Sequence, residues 1–200
     1  MKIGIYGGTF DPPHNGHVHA CKCFYDAFEM DKLYIIPTAI PPHKTRSSSV
    51  SGELRLEMAR LAFADIGNDI EFSDIELKRA GKSYTRDTIK YFVDSGADEI
   101  LLLCGTDMFV TFDEWYDFTY IFDNAIIVCM RRENDEHYGD LIEKKCAEYR
   151  EKYNARLKFI DVSPIEISSS EIREHIEDEK IKSSIPKTVY DFIMERGLYK

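Results

Sequence analysis

Two histidines three residues apart, His14 and His17, close the string Gly7-Gly8-Thr9-Phe10-Asp11-Pro12-Pro13-His14-Asn15-Gly16-His17. An imidazole donates a hydrogen bond to a phosphate oxygen at neutral pH and gains full charge when an anion raises its pKa. The spacing brings both rings to one side of the turn where a helix begins, and Gly16 keeps the space between them empty. Gly7 and Gly8 let the backbone approach an anion closely, and the free N–H groups and positive end of a following helix favour negative charge. The chemistry this pattern suits is stabilisation of charge developing at phosphorus. The alternative is a capped helix start carrying two surface histidines, which leaves the paired glycines unexplained. A P-loop would need a Lys-Ser/Thr pair after its last glycine, and a dinucleotide fingerprint would need G-x-G-x-x-G; the string has neither.

Those residues need a strand before them and a helix after them. Ile3-Gly4-Ile5-Tyr6 reads as a buried strand and Val18 to Met30 as an amphipathic helix. Further along, strands are expected at Lys32–Pro37, Ile70–Ile75, Glu99–Cys104, Ala125–Met130 and Leu157–Val162. Helices are expected at Glu53–Ile66, Tyr84–Asp94 and Tyr138–Tyr153, with a short helical patch at Trp115–Phe122 and two closing helices. The alternation predicts an α/β, Rossmann-like doubly wound, mostly parallel sheet with helices on both faces, built from right-handed crossovers. Residues 1–200 read as a single domain, with the C-terminal helices of 168–200 completing the nucleotide site.

Ligands in such folds bind beyond the carboxyl ends of the strands, where other chemically suggestive segments also begin. Pro41-Pro42-His43-Lys44 follows the second strand, Gly105-Thr106-Asp107 the central apolar one, Arg131-Arg132 the next and Ile167-Ser168-Ser169-Ser170 the last, so that one cleft would collect them. Lys44, assisted by Arg46, offers a flexible charge for terminal phosphates, against the plainer reading of a solvated loop lysine. Ser168 and Ser169 start a helix whose amides could take a triphosphate, with the planar fork of Arg173 nearby; a simple cap is the alternative. Asp107 could accept ribose hydroxyls or serve as an ordinary helix cap. Trp115 and Tyr116 offer a flat surface for a base, although a lone tryptophan is often packing. Ser83-Tyr84-Thr85 reads on its residues alone as a helix cap. Ser47 to Gly52 reads as a mobile active-site loop or a plain surface connection.

A net charge of −10 argues against nucleic acid held on a broad basic surface but leaves small anionic substrates open. No leader-like or membrane-spanning run is read in the sequence, so a cytoplasmic protein with no membrane partner is expected. Five cysteines, with Cys104 and Cys129 in apolar runs, predict buried thiols rather than disulfides. His17 with Cys21 and His19 with Cys23 stand at helical spacing for a metal, but no second matching pair exists and Gly7, Gly8 and Phe10 would go unexplained.

With G-G-x-F followed by H-x-G-H, the chain resembles the nucleotidyltransferase superfamily and, nearly end to end, the bacterial nicotinate-nucleotide adenylyltransferases. Ile35-Ile36-Pro37, Pro41-Pro42-His43-Lys44, Glu76-Leu77-Lys78-Arg79, Ser83-Tyr84-Thr85, Thr111-Phe112 with Trp115-Tyr116, Ile167-Ser168-Ser169 and Gly197-Leu198-Tyr199 carry the likeness. The resemblance implies adenylyl transfer from magnesium-bound ATP to nicotinate mononucleotide by direct attack on the α-phosphorus, with pyrophosphate released and no covalent enzyme intermediate. It implies catalytic roles for His14, His17, Lys44 and Arg173. ATP contacts would come from Gly7, Gly8, Thr9, Phe10, His14, His17, Gly105, Asp107, Ser168, Ser169 and Arg173. Mononucleotide contacts would come from Lys44, Tyr84, Thr85, Trp115, Tyr116 and Arg132. No protein side chain is expected to bind the magnesium, which rides on the ATP phosphates. Thr38-Ala39-Ile40 stands where relatives are expected to carry asparagine, and Glu133 where proline is common. Adenylyl or cytidylyl transfer to another phosphorylated acceptor, and a silent nucleotide sensor, stay open as rivals, as does a homo-oligomer.

Overall fold

The computed structural model describes residues 1–40, 50–79, 81–132, 139–163 and 165–200. Its strands are β1 (Lys2–Gly8), β2 (Lys32–Pro37), β3 (Ile70–Phe72), β4 (Glu99–Gly105), β5 (Ile126–Arg132) and β6 (Arg156–Val162). They form one six-stranded sheet in the order β3-β2-β1-β4-β5-β6. Pairing is parallel at β1–β4, with Lys2 opposite Glu99 and Tyr6 opposite Leu103, and again at β4–β5 and β5–β6. This is the doubly wound order in which the sequence of strands reverses between β1 and β4, and ligands in such sheets lie at that reversal. Ile100 to Cys104 are all buried, as a strand covered on both faces requires.

Helices are α1 (Asn15–Ala27), α2 (Gly52–Phe63), α3 (Ile75–Lys78), α4 (Thr85–Asp94), α5 (Thr106–Val110), α6 (Phe118–Asn124), α7 (Gly139–Tyr153), α8 (Ser169–Glu174), α9 (Glu179–Lys182) and α10 (Lys187–Arg196). Several differ from expectation for local reasons. The first helix begins at Asn15, because the His14 carbonyl already accepts from His17 and Val18 N–H. The strand expected through Ile75 stops at Phe72, and Ile75 instead opens the single turn of α3. The patch expected at Trp115–Phe122 is broken: Trp115 ends the 3-10 turn Phe112–Glu114, and Asp117, at φ +49°, resets the backbone before α6. Three helices, not two, close the described chain, with Ser183 capping the short α9 and Pro186 starting α10.

Contacts divide the chain into two compact units. The first comprises Met1–Tyr6, Cys23–Tyr34 and Tyr84–Pro164. Its core includes an aromatic stack in which Phe112 lies on Phe122 at 5.1 Å and on Trp115 at 4.5 Å, with Tyr149 closing on Phe109 and Phe122. The second comprises Gly7–Lys22, Ile35–Ser83 and Ile165–Lys200, and there α10 packs on α2, with Thr188 Oγ1 donating to the Leu61 carbonyl. Ser51 accepts from Leu54 N–H as the N-cap of α2; the rest of the expected 47–52 loop, up to Ser49, lies outside the described residues. All five cysteines are free thiols, and burial pushes Cys21 and Cys129 each up to about 12. Among the described residues no helix is long and apolar enough to cross a membrane.

Candidate active site

In the second unit the chain leaves β1 through the glycine pair. Among the described residues, a β-carbon on Gly7 would meet nothing nearer than the Ile36 carbonyl at 3.9 Å, so packing does not require glycine there. At Gly8 it would come within 2.9 Å of the Phe10 ring, which does require it. Phe10 takes φ +48°, a conformation that side-chain-bearing residues adopt only when surroundings hold them. Its ring is 1% exposed, packed edge-on against Phe63 and His17, both at 5.4 Å.

The loop's carbonyls and carboxylate are tied down by residues distant in sequence. Arg55, 3% exposed, sends Nη1 to the carbonyls of Thr9 at 2.6 Å and Thr38 at 2.7 Å, joining the segments that follow β1 and β2. Burial lowers its pKa from the ordinary arginine value, and the nearby Asp11 charge opposes that shift. Arg173 donates from Nη1 to the Asp11 carbonyl at 2.7 Å and from Nη2 to Ser170 Oγ at 3.0 Å. Ser169 Oγ donates to the Pro12 carbonyl at 2.9 Å. The Ser168 hydroxyl is spent on the cap, accepting from Glu171 N–H. Asp11, 6% exposed, accepts from the Tyr199 hydroxyl at 2.7 Å.

His14 and His17 then stand with ring centroids 3.8 Å apart and planes tilted by 36°. A β-carbon on Gly16 would approach the His14 ring to 3.1 Å, so the glycine makes room for that ring rather than for an empty space between the two, which are in contact. The backbone N–H of His14 donates to His17 Nδ1 at 3.2 Å. A neutral imidazole that accepts at Nδ1 carries its proton on Nε2, so His17 presents an N–H donor from its far edge. Burial, reinforced by His14, pushes the His17 pKa down to about 3, so the ring is neutral at physiological pH. An anion beside it works in the opposite sense and favours the charged form. Asn15 anchors the start of α1, donating from its backbone and side chain to the carbonyls of Ser184 and Ser183.

In the first unit Trp115 lies stacked on Phe112 with an interplanar angle of 12°, and Tyr116, 58% exposed, packs against Tyr84 at 4.6 Å. Thr85 opens α4, where Thr88 N–H bonds back to the Tyr84 carbonyl. Arg86 pairs with Asp117 and Asp87 and lies over the Tyr120 ring. Gly105 caps α5 and Asp107 sits exposed in its first turn; a β-carbon on Gly105 would meet Asp107 Oδ1 at 2.9 Å. Arg132 ends β5. Lys44 and Arg46 lie outside the described residues.

Residues 5–175 match the model of the cytidylyltransferase-like family. The chain belongs to that family. A probable nicotinate-nucleotide adenylyltransferase of Clostridium tetani is 34% identical over 201 residues, covering 100% of this chain and 99% of its own. One from Dictyoglomus thermophilum is 36% identical over 202 residues, covering both chains fully. Among solved structures, the Plasmodium falciparum nicotinic acid mononucleotide adenylyltransferase complexed with NaAD superposes with a TM-score of 0.78 at 19% identity, covering 99% of this chain and 97% of that one.

For this member of the cytidylyltransferase-like family, sequence reasoning located the histidine pair, the glycine turn and the serine-arginine segment of α8, and the second unit brings these together. It missed Asp11, Arg55 and Tyr199 as parts of the site. Asp11 lies inside the motif, and that position was the available clue; its burial appears only in the fold. Arg55 and Tyr199 reach the loop across 46 and 188 residues, a separation that leaves no periodic trace.

Proposed function

We propose that this protein transfers the adenylyl group of ATP to nicotinate mononucleotide, giving nicotinate adenine dinucleotide and pyrophosphate. The observation that carries this reading is the loop from Gly7 to His17, which holds paired imidazoles 3.8 Å apart and opens on Gly7, a glycine that packing does not require. The full-length likeness to probable nicotinate-nucleotide adenylyltransferases supports the choice of acceptor.

In this mechanism a phosphate oxygen of the mononucleotide attacks the α-phosphorus of ATP in line as the bond to the bridging oxygen of the departing pyrophosphate breaks. No group on the protein becomes covalently attached. ATP arrives as its magnesium complex, the metal neutralising phosphate charge as part of the substrate. Gly7 and Gly8 give the phosphates access to the backbone. His17 donates from Nε2 to an oxygen whose charge grows in the transition state, where a fixed donor in a desolvated site is most effective. His14, the other ring of the pair, holds the same reacting phosphates, and Arg173 and Lys44 take the β- and γ-phosphates. Such a reaction needs little beyond positioning and charge stabilisation.

In the first unit Trp115, Tyr116 and Tyr84 would receive the pyridine ring. The start of α4 at Thr85 supplies donors suited to its carboxylate, while Asp107 meets ribose and Arg132 the acceptor phosphate. The testing experiment measures pyrophosphate release with ATP alone, with nicotinate mononucleotide alone, with both, and with nicotinamide mononucleotide in its place. Release requiring both ATP and nicotinate mononucleotide is expected. ATP binding without release in any combination would make the protein a nucleotide sensor instead.

A further inference from the structure

The last turn of the chain reaches the phosphate loop by a route the proposed mechanism leaves unused. After α10 the backbone reverses at Gly197, φ +59°, where Leu198 N–H bonds to the Ile193 carbonyl and Gly197 N–H to that of Met194. This pair of bonds is the Schellman arrangement, which stops a helix and fixes the direction of the chain beyond it. Tyr199, at φ +65°, then carries its hydroxyl to Asp11 Oδ1 at 2.7 Å. The other oxygen of Asp11 faces Arg173 Nη1 at 4.0 Å, and the same nitrogen donates to the Asp11 carbonyl. One aspartate is thus held at its carboxylate by the tail and read at both its carboxylate and its carbonyl by Arg173.

We infer that Tyr199 is a positioning residue: its hydroxyl fixes the Asp11 carboxylate and, through it, aims the guanidinium of Arg173 for the triphosphate. This rests on the reading that the loop and Arg173 hold the phosphates of ATP. Two of the five guanidinium N–H groups are committed, to the Asp11 carbonyl and Ser170, which leaves donors for an anion once the plane is fixed. A carboxylate free to turn would let that plane follow it. Tyr199 suits the task because burial and the neighbouring carboxylate drive its phenol pKa far above the ordinary value, so it remains a donor.

Tyr199→Phe removes the hydroxyl and keeps the ring. ATP affinity, measured by calorimetry well below the melting temperature, is expected to weaken about tenfold, as loss of a hydrogen bond to a charged group would give. The mononucleotide KM is expected to stay unchanged and kcat/KM for ATP to fall in parallel. Asp11→Asn should weaken ATP comparably, and the double variant no further, since both changes break one link. Tyr190→Phe, a phenol of α10 outside this network, serves as the control. Unchanged ATP affinity in Tyr199→Phe, with or without a lowered melting temperature, would reduce Tyr199 to a structural latch and overturn the inference. Additive losses in the double variant would overturn it too. If the natural protein binds ATP but releases no pyrophosphate, the enzymatic reading fails while the affinity comparison still judges Tyr199. If it binds no ATP, both fall.

Discussion

The loop around His14 and the aromatic surface around Trp115 are held by different forces. The loop is fixed by directional bonds from Arg55, Arg173, Ser169 and Tyr199 to named carbonyls and one carboxylate. The aromatic surface rests on ring contacts: Trp115 stacked on Phe112, Phe112 stacked on Phe122, and Tyr116 tilted against Tyr84. Directional bonds suit a group that must meet charge at one point in a transition state, whereas stacked rings tolerate sliding and suit recognition of a flat ligand. Changes in the loop should therefore act on turnover and ATP, and changes in the stack on the mononucleotide.

The sharpest test of that division is His17→Ala. If the ring acts mainly in the transition state, kcat falls on the order of a hundredfold or more while ATP affinity changes less. Steady-state kinetics with calorimetry separate the two, and near-normal turnover would remove His17 from the mechanism. Gly7→Ala comes next. Its new methyl meets no atom of the protein nearer than 3.9 Å among the described residues, so unfolding free energy should stay within ~0.5 kcal/mol. ATP affinity should fall more than tenfold, because the methyl occupies the approach left for phosphate. Unaltered ATP binding would show that the glycine serves something other than ligand access.

On the aromatic side, Trp115→Ala should raise the mononucleotide KM roughly tenfold, the scale of one base stacked on one aromatic ring. ATP affinity should hold. The reverse pattern would exchange the roles given to the two regions.

Acid should distinguish the regions as well. The His17 pKa is about 3 in the folded protein against an ordinary value of 6.5, so below 6.5 the unfolded chain takes up the proton first. Stability from the neutral ring is therefore complete above that value and is lost as the pH falls towards 3. Urea titrations should show the natural protein losing on the order of 1–2 kcal/mol more than His17→Gln between neutrality and mildly acid pH. Equal losses would mean that His17 titrates near its ordinary value.

What the sequence disclosed follows the same line. Strand β2 appears at its expected bounds, Lys32–Pro37, and the apolar run of β4 differs only in adding Gly105, since buried parallel strands write themselves as continuous apolar runs. The histidines and glycines were legible because their chemistry sits in one contiguous string. Arg55 was not: on the sequence it is one more cation in an amphipathic helix, and only folding puts its guanidinium between Thr9 and Thr38. The stretch 115–122 misled for another reason. Asp117 in the left-handed region interrupts it, so the helix starts only at Phe118, and Trp115 lies outside it, flat against Phe112.

The support beneath that tryptophan gives the smallest effect. Asp113, in the turn before Trp115, accepts from Lys145 Nζ at 2.7 Å and from the Tyr149 hydroxyl at 2.9 Å, and Tyr149 also bonds the Phe109 carbonyl. Burial works to raise the Asp113 pKa, but the bonds from Lys145 and Tyr149 outweigh it and hold the carboxyl below its ordinary value. Asp113→Asn keeps the shape and removes the charge, so the turn loosens without collapsing. An expected loss of about 1 kcal/mol matches one partly screened, hydrogen-bonded ion pair. Because the Phe112–Trp115 turn moves with Asp113, the mononucleotide KM should rise about two- to threefold, less than the loss of the stacking ring itself. ATP affinity should not change. A variant that lost ATP affinity and kept the mononucleotide KM would show that this clamp supports the phosphate chemistry, and the assignment of separate tasks to the two regions would fail there.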